Sequence, residues 1–192
     1  VKKIGDLFYR QFVQEDRKLV ETGSSYANFA PLHSLCKLYQ LTHEKRYLHM
    51  AEKIVGEFSE TGGGDYLRNA LRDGEFYECA QPRWESLHVV QGLASLYEIT
   101  GDPMYKQAFE QIWFSIAKTD VHNTGGFSSD EQASGNPFKG GSIETCCTVA
   151  WMALSADMLR ISGNPVVADM LERSMYNAAW GAMHPSGRWF TY

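Results

Sequence analysis

Two residue types able to bind a metal stand close together in the segment Gly125–Trp151. Glu144 and Cys146 come directly before an apolar run that predicts a helix. On a regular helix, two residues at this spacing point to nearly opposite sides, but on an irregular turn that leads into a helix they can converge. A converging carboxylate and thiolate favour a metal site, and zinc best suits this mixture of ligands. The alternative is structural: Glu144 is an acid stabilised by the helix dipole, and Cys146 is a small buried residue.

The stretch that precedes Glu144 is rich in helix-breaking residues. Glycines and a proline recur between Gly125 and Gly141, which predicts a long loop. A loop of this length inside a compact domain is typical of functional loops. Glu131 lies in it and is a candidate general acid. The alternative interpretation is a solvated loop carboxylate.

A second group of polar and aromatic residues begins another predicted helix. Trp84, Glu85 and His88 lie within a few residues of each other. Glu85 and His88 are three residues apart and would share one face of a helix. The group could form the edge of a carbohydrate site, with an aromatic ring beside polar groups. The alternative is a capped helix start with a satisfied histidine.

An internal repeat organises the elements that carry these residues. Thr42, Thr100 and Ser162 occupy equivalent positions at intervals of about 60 residues. Each position predicts the end of one helix, a short turn and the start of the next. Gly101 and Gly163 suit the end of a helix, and a proline follows each of them by two residues. The sequence therefore predicts an all-α fold of antiparallel helix pairs, each with one inner and one outer helix.

The repeat also predicts where a site would lie. The loops Thr61–Pro82 and Asp120–Ser142 each precede the first helix of a pair. Such loops gather on one face of a repeat structure, and that face is the natural place for a binding site. The repeat places Trp84 and Glu85 opposite Cys146 and Cys147. We therefore expect both groups of candidate residues at the same end of the helical structure.

Composition narrows the classes of function. The chain has 192 residues, 44% of them hydrophobic, which is enough for one globular domain with a sizeable core. The net charge of −5 and the lack of a basic run argue against a nucleic-acid or membrane partner. No apolar segment is long enough to span a membrane. Both ends of the sequence look cut, so it does not indicate whether the protein is cytoplasmic or exported.

The order of motifs resembles a known enzyme family. Thr124-Gly-Gly, an acidic residue and Glu144-Thr-Cys are followed by Leu171-Glu-Arg with Tyr176-Asn, and then by the segment 187–192. This combination resembles glycoside hydrolase family 127, the β-L-arabinofuranosidase-type enzymes. The resemblance covers most of the chain from about Pro31 onward. It implies an (α/α)6 barrel, with residues 1–192 forming part of a single catalytic domain.

The resemblance also implies roles for individual residues. It implies a retaining glycosidase with a cysteine nucleophile beside zinc and a substrate that contains arabinose. Glu144 and Cys146 match two zinc ligands, and Glu131 matches the acid/base residue, with Asp130 as its neighbouring rival. Further matches to substrate-binding positions are His88, Glu172 and Tyr192.

The same resemblance implies that part of the site lies outside this chain. The family's nucleophile belongs to a later pair of adjacent cysteines, beyond Tyr192, so Cys147 is not assigned that role. We therefore expect zinc to be weakly held or absent in residues 1–192 alone, and this part alone to be inactive. The alternatives are a non-catalytic helical carbohydrate-binding domain and another (α/α)-barrel enzyme, such as an epimerase or a polysaccharide lyase.

Overall fold

The protein is built from α-helices joined by loops. The computed structural model describes residues 1–79, 84–127 and 132–191. Within these ranges, β-pairing is limited to two isolated bridges, Val121–Phe127 and Met183–Phe190. The predicted all-α fold is therefore confirmed. The α-helices are α1 Lys2–Phe8, α2 Ser25–Phe29, α3 Leu32–Thr42, α4 Lys45–Gly56, α5 Tyr66–Ala70, α6 Trp84–Thr100, α7 Pro103–Thr119, α8 Thr145–Ser162 and α9 Pro165–Arg173.

The turn that ends helices α3, α6 and α8 is the same structure in three copies. The hydroxyls of Thr42, Thr100 and Ser162 each donate to the carbonyl four residues earlier, at 2.7 Å. Each hydroxyl oxygen also accepts a backbone N–H from two residues later, at 3.2–3.3 Å. One side chain thus pairs groups on both sides of the turn, which explains why a hydroxyl recurs there.

The residues that follow each hydroxyl reverse the chain. His43, Gly101 and Gly163 adopt the left-handed conformation, with φ between 56° and 71°. In the second and third copies the next residue caps a helix: Asp102 accepts from the Met104 N–H at 2.9 Å, and Asn164 is its equivalent. Each turn therefore ends one helix and begins its antiparallel partner within two residues.

The helix pairs form two layers. Helices α3, α6 and α8 pack side by side, and each also packs against its partner, α4, α7 or α9. Helix α6 buries ten residues spread around its axis, whereas α4 buries four residues on one face. A helix buried on several sides belongs to an inner layer, and an amphipathic helix covers it from outside. The predicted inner and outer arrangement is confirmed.

Two of the α-helices continue into π-helices. Helix α1 passes into a π-helix at Tyr9–Gln14, and Asp16 then turns the chain at φ 50°. Likewise α9 passes into a π-helix at Ser174–Ala179. There the buried Ser174 hydroxyl lies 2.9 Å from the Met170 carbonyl and 2.7 Å from that of Gly125.

None of the helices in the described ranges has the length and apolar character needed to cross a membrane.

Candidate metal centre and active site

The first turn of α8 brings Glu144 and Cys146 together. Glu144 is the residue before the helix and has an extended backbone, with φ −79° and ψ 136°. This conformation turns its side chain towards the helix that follows. The Cys146 thiol accordingly lies 3.3 Å from Glu144 Oε2 and donates to it. The irregular turn needed for the two side chains to converge is therefore present.

Cys147 joins this pair as a third metal-binding side chain. Its sulfur lies 3.9 Å from the Cys146 sulfur and 3.9 Å from Glu144 Oε2. The three ligand atoms all lie within 4.8 Å of one another. Cys147 is 1% exposed and Cys146 is half-buried, so the group lies where α8 enters the core. Cys147 was not among the predicted metal ligands, although its place in the same helical turn as Cys146 is a signal for that role.

The spacing of the three atoms suits a small divalent ion. Zinc binds sulfur at about 2.3 Å and carboxylate oxygen at about 2.0 Å, so two ligand atoms on a tetrahedral zinc lie roughly 3.5–3.8 Å apart. The separations here are 3.3, 3.9 and 3.9 Å. Two thiols and a carboxylate also have the chemistry that zinc prefers. These residues fit zinc as three of its four ligands.

The other two cysteines are of a different kind. Cys36 is 0% exposed and Cys79 is 5% exposed. Burial raises the pKa of each thiol to about 12. Because the thiolate is the form that binds metals and reacts, neither side chain is suited to the site. Both are core residues.

This contrast predicts selective thiol labelling. At pH 8 a thiol of pKa about 12 is ionised in only roughly one molecule in ten thousand, so native Cys36 and Cys79 should resist iodoacetamide. In metal-free protein, we expect Cys146 to be alkylated first, since it is the more accessible cysteine of the cluster. Peptide mass mapping over time measures the order, with Cys146→Ser as the control that removes the fast peptide. Equal labelling rates for Cys36 and Cys146 in folded protein would contradict this assignment.

A buried carboxylate anchors the glycine-rich loop. Asp120, which follows α7 and is fully buried, accepts the backbone N–H groups of Ser134 and Gly135 at 2.8 and 3.0 Å. Its other oxygen accepts the Thr119 hydroxyl at 2.7 Å. A buried carboxylate with three donors is a strong anchor. Asp120 therefore fixes the loop a few residues after Glu131.

The two long loops meet, as the repeat predicted. Gly135 packs so closely on the ring of Tyr77 that an added Cβ would lie 2.8 Å from it. Phe76, in the earlier loop, donates its backbone N–H to the Ser115 hydroxyl of α7 at 2.7 Å. The loop before α6 and the loop before α8 thus share one face of the helical layers.

The start of the glycine-rich loop is held against the third helix pair. Gly125 has φ 84°, and a Cβ there would lie 2.6 Å from the Ser174 backbone. The Trp151 indole N–H donates to the Ser174 hydroxyl at 3.2 Å. Only glycine allows this backbone approach. Gly125 therefore allows the loop to pack against the π-helix that follows α9, where Ser174 also contacts Trp151 of α8.

The chain also returns to the start of α8 near its last described residue. The Thr145 hydroxyl donates to the Thr191 carbonyl at 2.8 Å. Thr145 separates Glu144 from Cys146, so the segment before Tyr192 lies beside the metal-binding cluster. Tyr192 itself lies outside the described residues, and its predicted contact with substrate stays a prediction.

The remaining predicted residues fall in three places. Glu131 and its rival Asp130 lie outside the described residues. His88 lies in the second turn of α6, with Trp84 edge-on to its ring at a centroid distance of 4.6 Å. Glu172 is exposed on the outer helix α9. The structure joins Glu144 to Cys146 directly, and the roles of His88 and Glu172 stay predictions.

Replacing the loop anchor should affect both stability and activity. Asp120→Ala removes the acceptor of two backbone N–H groups, so we expect a loss of about 2–3 kcal/mol in the free energy of unfolding. Because Glu131 is the predicted general acid on this loop, the same change is also predicted to lower kcat/KM in the full-length protein. Denaturant titration and steady-state kinetics measure the two effects.

The matched control is Asp102→Ala, at the other end of α7. Loss of this helix cap should cost about 1 kcal/mol and leave kcat/KM unchanged. If Asp120→Ala also had the kcat/KM of the wild type, the position of the loop held by Asp120 would not matter for the reaction.

Comparison with known proteins identifies a family. Residues 2–192 match the family model described as "Beta-L-arabinofuranosidase, GH127 catalytic domain". A search of curated proteins gives no match.

Solved structures of similar fold come from the same group. A GH127 β-arabinofuranosidase is 24% identical with a TM-score of 0.68, and covers 84% of this chain and 26% of its own. A GH127 β-L-arabinofuranosidase from Geobacillus stearothermophilus T6 is 23% identical with a TM-score of 0.66, and covers 84% and 29%. A structure titled glycoside hydrolase is 20% identical with a TM-score of 0.64, and covers 84% and 30%. The chain thus spans less than a third of each of these proteins.

Proposed function

The chain belongs to the GH127 family, and from this we propose that the full-length protein is a retaining glycoside hydrolase of the β-L-arabinofuranosidase type. The observation that carries the proposal is the family match over residues 2–192. The grouping of Glu144, Cys146 and Cys147 supports the metal-dependent part of the proposal, because a carboxylate and two thiols within 4.8 Å of one another can bind zinc. The three helix pairs would form part of an (α/α)6 barrel within a single catalytic domain.

Zinc would be held at the start of α8. Glu144 and Cys146 are the proposed ligands, and the position of Cys147 makes it a further candidate. Bound zinc would keep its sulfur ligands as thiolates, which are nucleophiles able to attack an anomeric carbon. The resemblance to the family assigns the attacking cysteine to a pair beyond Tyr192. Residues 1–192 would then supply the ligands that hold the site together.

Glu131 is the proposed acid and base. Its carboxylic acid would give a proton to the departing glycosidic oxygen while the anomeric carbon becomes bonded to the nucleophile. The resulting carboxylate would then remove a proton from water as water displaces the nucleophile. The loop anchored by Asp120 would hold Glu131 in position for both steps.

The substrate would be an arabinose-containing glycan or glycoside. His88, Glu172 and Tyr192 are the proposed substrate contacts, since each can bond to a sugar hydroxyl. Trp84, which is 38% exposed and lies beside His88, offers an apolar ring to the C–H face of a sugar.

A panel of aryl glycosides tests the proposed function. The full-length protein should release phenolate from an aryl β-L-arabinofuranoside and leave matched aryl pyranosides intact. Chelation followed by addition of zinc should abolish and restore the release. Binding of arabinosides without hydrolysis would instead favour the carbohydrate-binding alternative, and an unsaturated sugar product would favour a lyase.

A further inference from the structure

A row of hydrogen bonds links His88 on α6 to helix α8. The Nδ1 atom of His88 lies 3.1 Å from Gln91 Oε1. Gln91 Nε2 in turn donates to Asp157 Oδ2 at 2.9 Å. Gln91 is only 5% exposed, so its amide is shielded from water and depends on these two partners. The row therefore connects a predicted substrate contact to a carboxylate on the neighbouring inner helix.

The chemistry of these groups fixes which atom donates and which accepts in each hydrogen bond. Arg160 donates to the other oxygen of Asp157, Oδ1, at 3.0 Å, which pairs the carboxylate with a cation. A carboxylate only accepts hydrogen bonds, so the NH₂ group of Gln91 must face Asp157. The amide oxygen of Gln91 then faces His88, and His88 Nδ1 must carry a proton to donate to it.

We propose that Gln91 is a positioning residue that holds neutral His88 in its Nδ1–H tautomer. The other ring nitrogen, Nε2, then presents a lone pair and acts as an acceptor. Its ligand would be a hydroxyl group of the sugar, which would donate to it. The tautomer follows from the hydrogen bonds alone, whereas the sugar hydroxyl rests on the proposed function.

The surroundings of His88 leave room for such a ligand. His88 borders a pocket of about 450 Å³, together with side chains that include Phe8, Pro31 and Ser34. Within the described ranges, the His88 ring makes one hydrogen bond, which is to Gln91. Nε2 thus keeps its hydrogen-bonding capacity for a ligand.

Two other histidines provide references of the opposite kind. His122 Nδ1 accepts the Thr124 backbone N–H at 3.3 Å, and His184 Nδ1 accepts the Ser186 backbone N–H at 3.2 Å. An Nδ1 atom that accepts a backbone N–H carries no proton of its own. Neutral His122 and His184 should therefore be Nε2–H tautomers, opposite to His88.

Long-range ¹H–¹⁵N NMR of the histidine-labelled full-length protein at pH 8 tests the proposal. Loss of one signal set in His88→Gln, His122→Gln and His184→Gln assigns the three rings. We expect a protonated, pyrrole-like Nδ1 in His88 and a protonated Nε2 in the other two. A protonated Nε2 in wild-type His88 would overturn the proposal.

The variant Asp157→Asn tests the role of the row. Arg160 can only donate, so it should keep the oxygen of the new amide and turn its NH₂ towards Gln91. The Gln91 amide should then reverse, offer its own N–H to His88 Nδ1 and convert His88 to the Nε2–H tautomer, leaving His122 and His184 unchanged. Retention of the Nδ1–H tautomer in this variant would show that Gln91 and Asp157 do not set it.

Kinetics of Gln91→Met test the link to substrate. Loss of one hydrogen bond to a sugar hydroxyl corresponds to about a tenfold rise in KM, with kcat changed much less. His49→Gln, on the exposed surface of the outer helix α4, is the matched control and should leave both constants unchanged. A normal KM for Gln91→Met, together with an altered tautomer of His88, would show that His88 Nε2 does not bind a sugar hydroxyl. Absence of any glycosidase activity in the wild type would instead refute the proposed function while the NMR result stood.

Discussion

The Cys146→Ser variant of the full-length protein is expected to lose most of its zinc. A serine hydroxyl is not ionised at neutral pH, so it replaces a strong thiolate ligand with a weak one. Even residues that only support metal ligands alter affinity by about 10–100-fold, so loss of a direct ligand should cost at least about 100-fold. Inductively coupled plasma mass spectrometry, after dialysis against a weak chelator, measures the metal content.

Matched variants separate ligation from loss of packing. Glu144→Gln retains the size of the side chain but removes its charge, and it should also lose zinc. Cys79→Ala alters a buried cysteine far along the chain and should retain full zinc content. Cys147→Ser tests whether this chain supplies two zinc ligands or three. Zinc binding should weaken in this variant only if Cys147 is a ligand. Unchanged zinc content in Cys146→Ser would reject the metal assignment.

The Glu131→Gln variant is expected to lose activity in a way that depends on the leaving group. A general acid contributes about 10²–10⁴-fold, and it matters most when the departing oxygen is a poor leaving group. Hydrolysis of natural or alkyl glycosides should therefore fall strongly. Hydrolysis of an aryl glycoside should fall less, since the phenolate leaves unaided. Steady-state kinetics on the paired substrates measures this difference.

Two further variants define the role of Glu131. Asp130→Asn changes the neighbouring carboxylate and should be much milder. Glu144→Gln should fail on both substrates, because it damages the metal site on which the thiolate depends. Normal turnover of an alkyl glycoside by Glu131→Gln, with loss in Asp130→Asn, would show that Asp130 is the acid instead.

The repeated turns could be predicted from sequence because their chemistry is local. Thr42, Thr100 and Ser162 each bond to groups within four residues, and Gly101 and Gly163 satisfy a local need for positive φ. Such requirements leave a visible pattern at a fixed spacing. The order and pairing of the helices followed from that pattern.

The π-helix at Ser174–Ala179 could not be predicted in this way. The partners of Ser174 include Trp151 and Gly125, which are distant in sequence. The loop anchor Asp120 was missed for the same reason, because its acceptor role appears only once Ser134 and Gly135 fold back on it. Long-range contacts of this kind leave no periodic signal.

The candidate site could be predicted from the sequence only in part. Glu144 and Cys146 were visible because they are close in sequence and differ in chemistry. Cys147 was not predicted as a ligand, and only the geometry of the first turn of α8 shows its sulfur 3.9 Å from both the Cys146 sulfur and Glu144 Oε2. The link from His88 through Gln91 to Asp157 joins two helices, so spacing along one helix could not reveal it.

The activity proposed for the full-length protein is retaining hydrolysis of β-L-arabinofuranosides. Its most direct test is ¹H NMR of the anomeric signals during the first minutes of hydrolysis of an aryl β-L-arabinofuranoside, before the free sugar equilibrates. A double displacement through a covalent intermediate predicts β-L-arabinofuranose as the first product. First appearance of the α-anomer, or no hydrolysis by zinc-loaded protein, would contradict the claim.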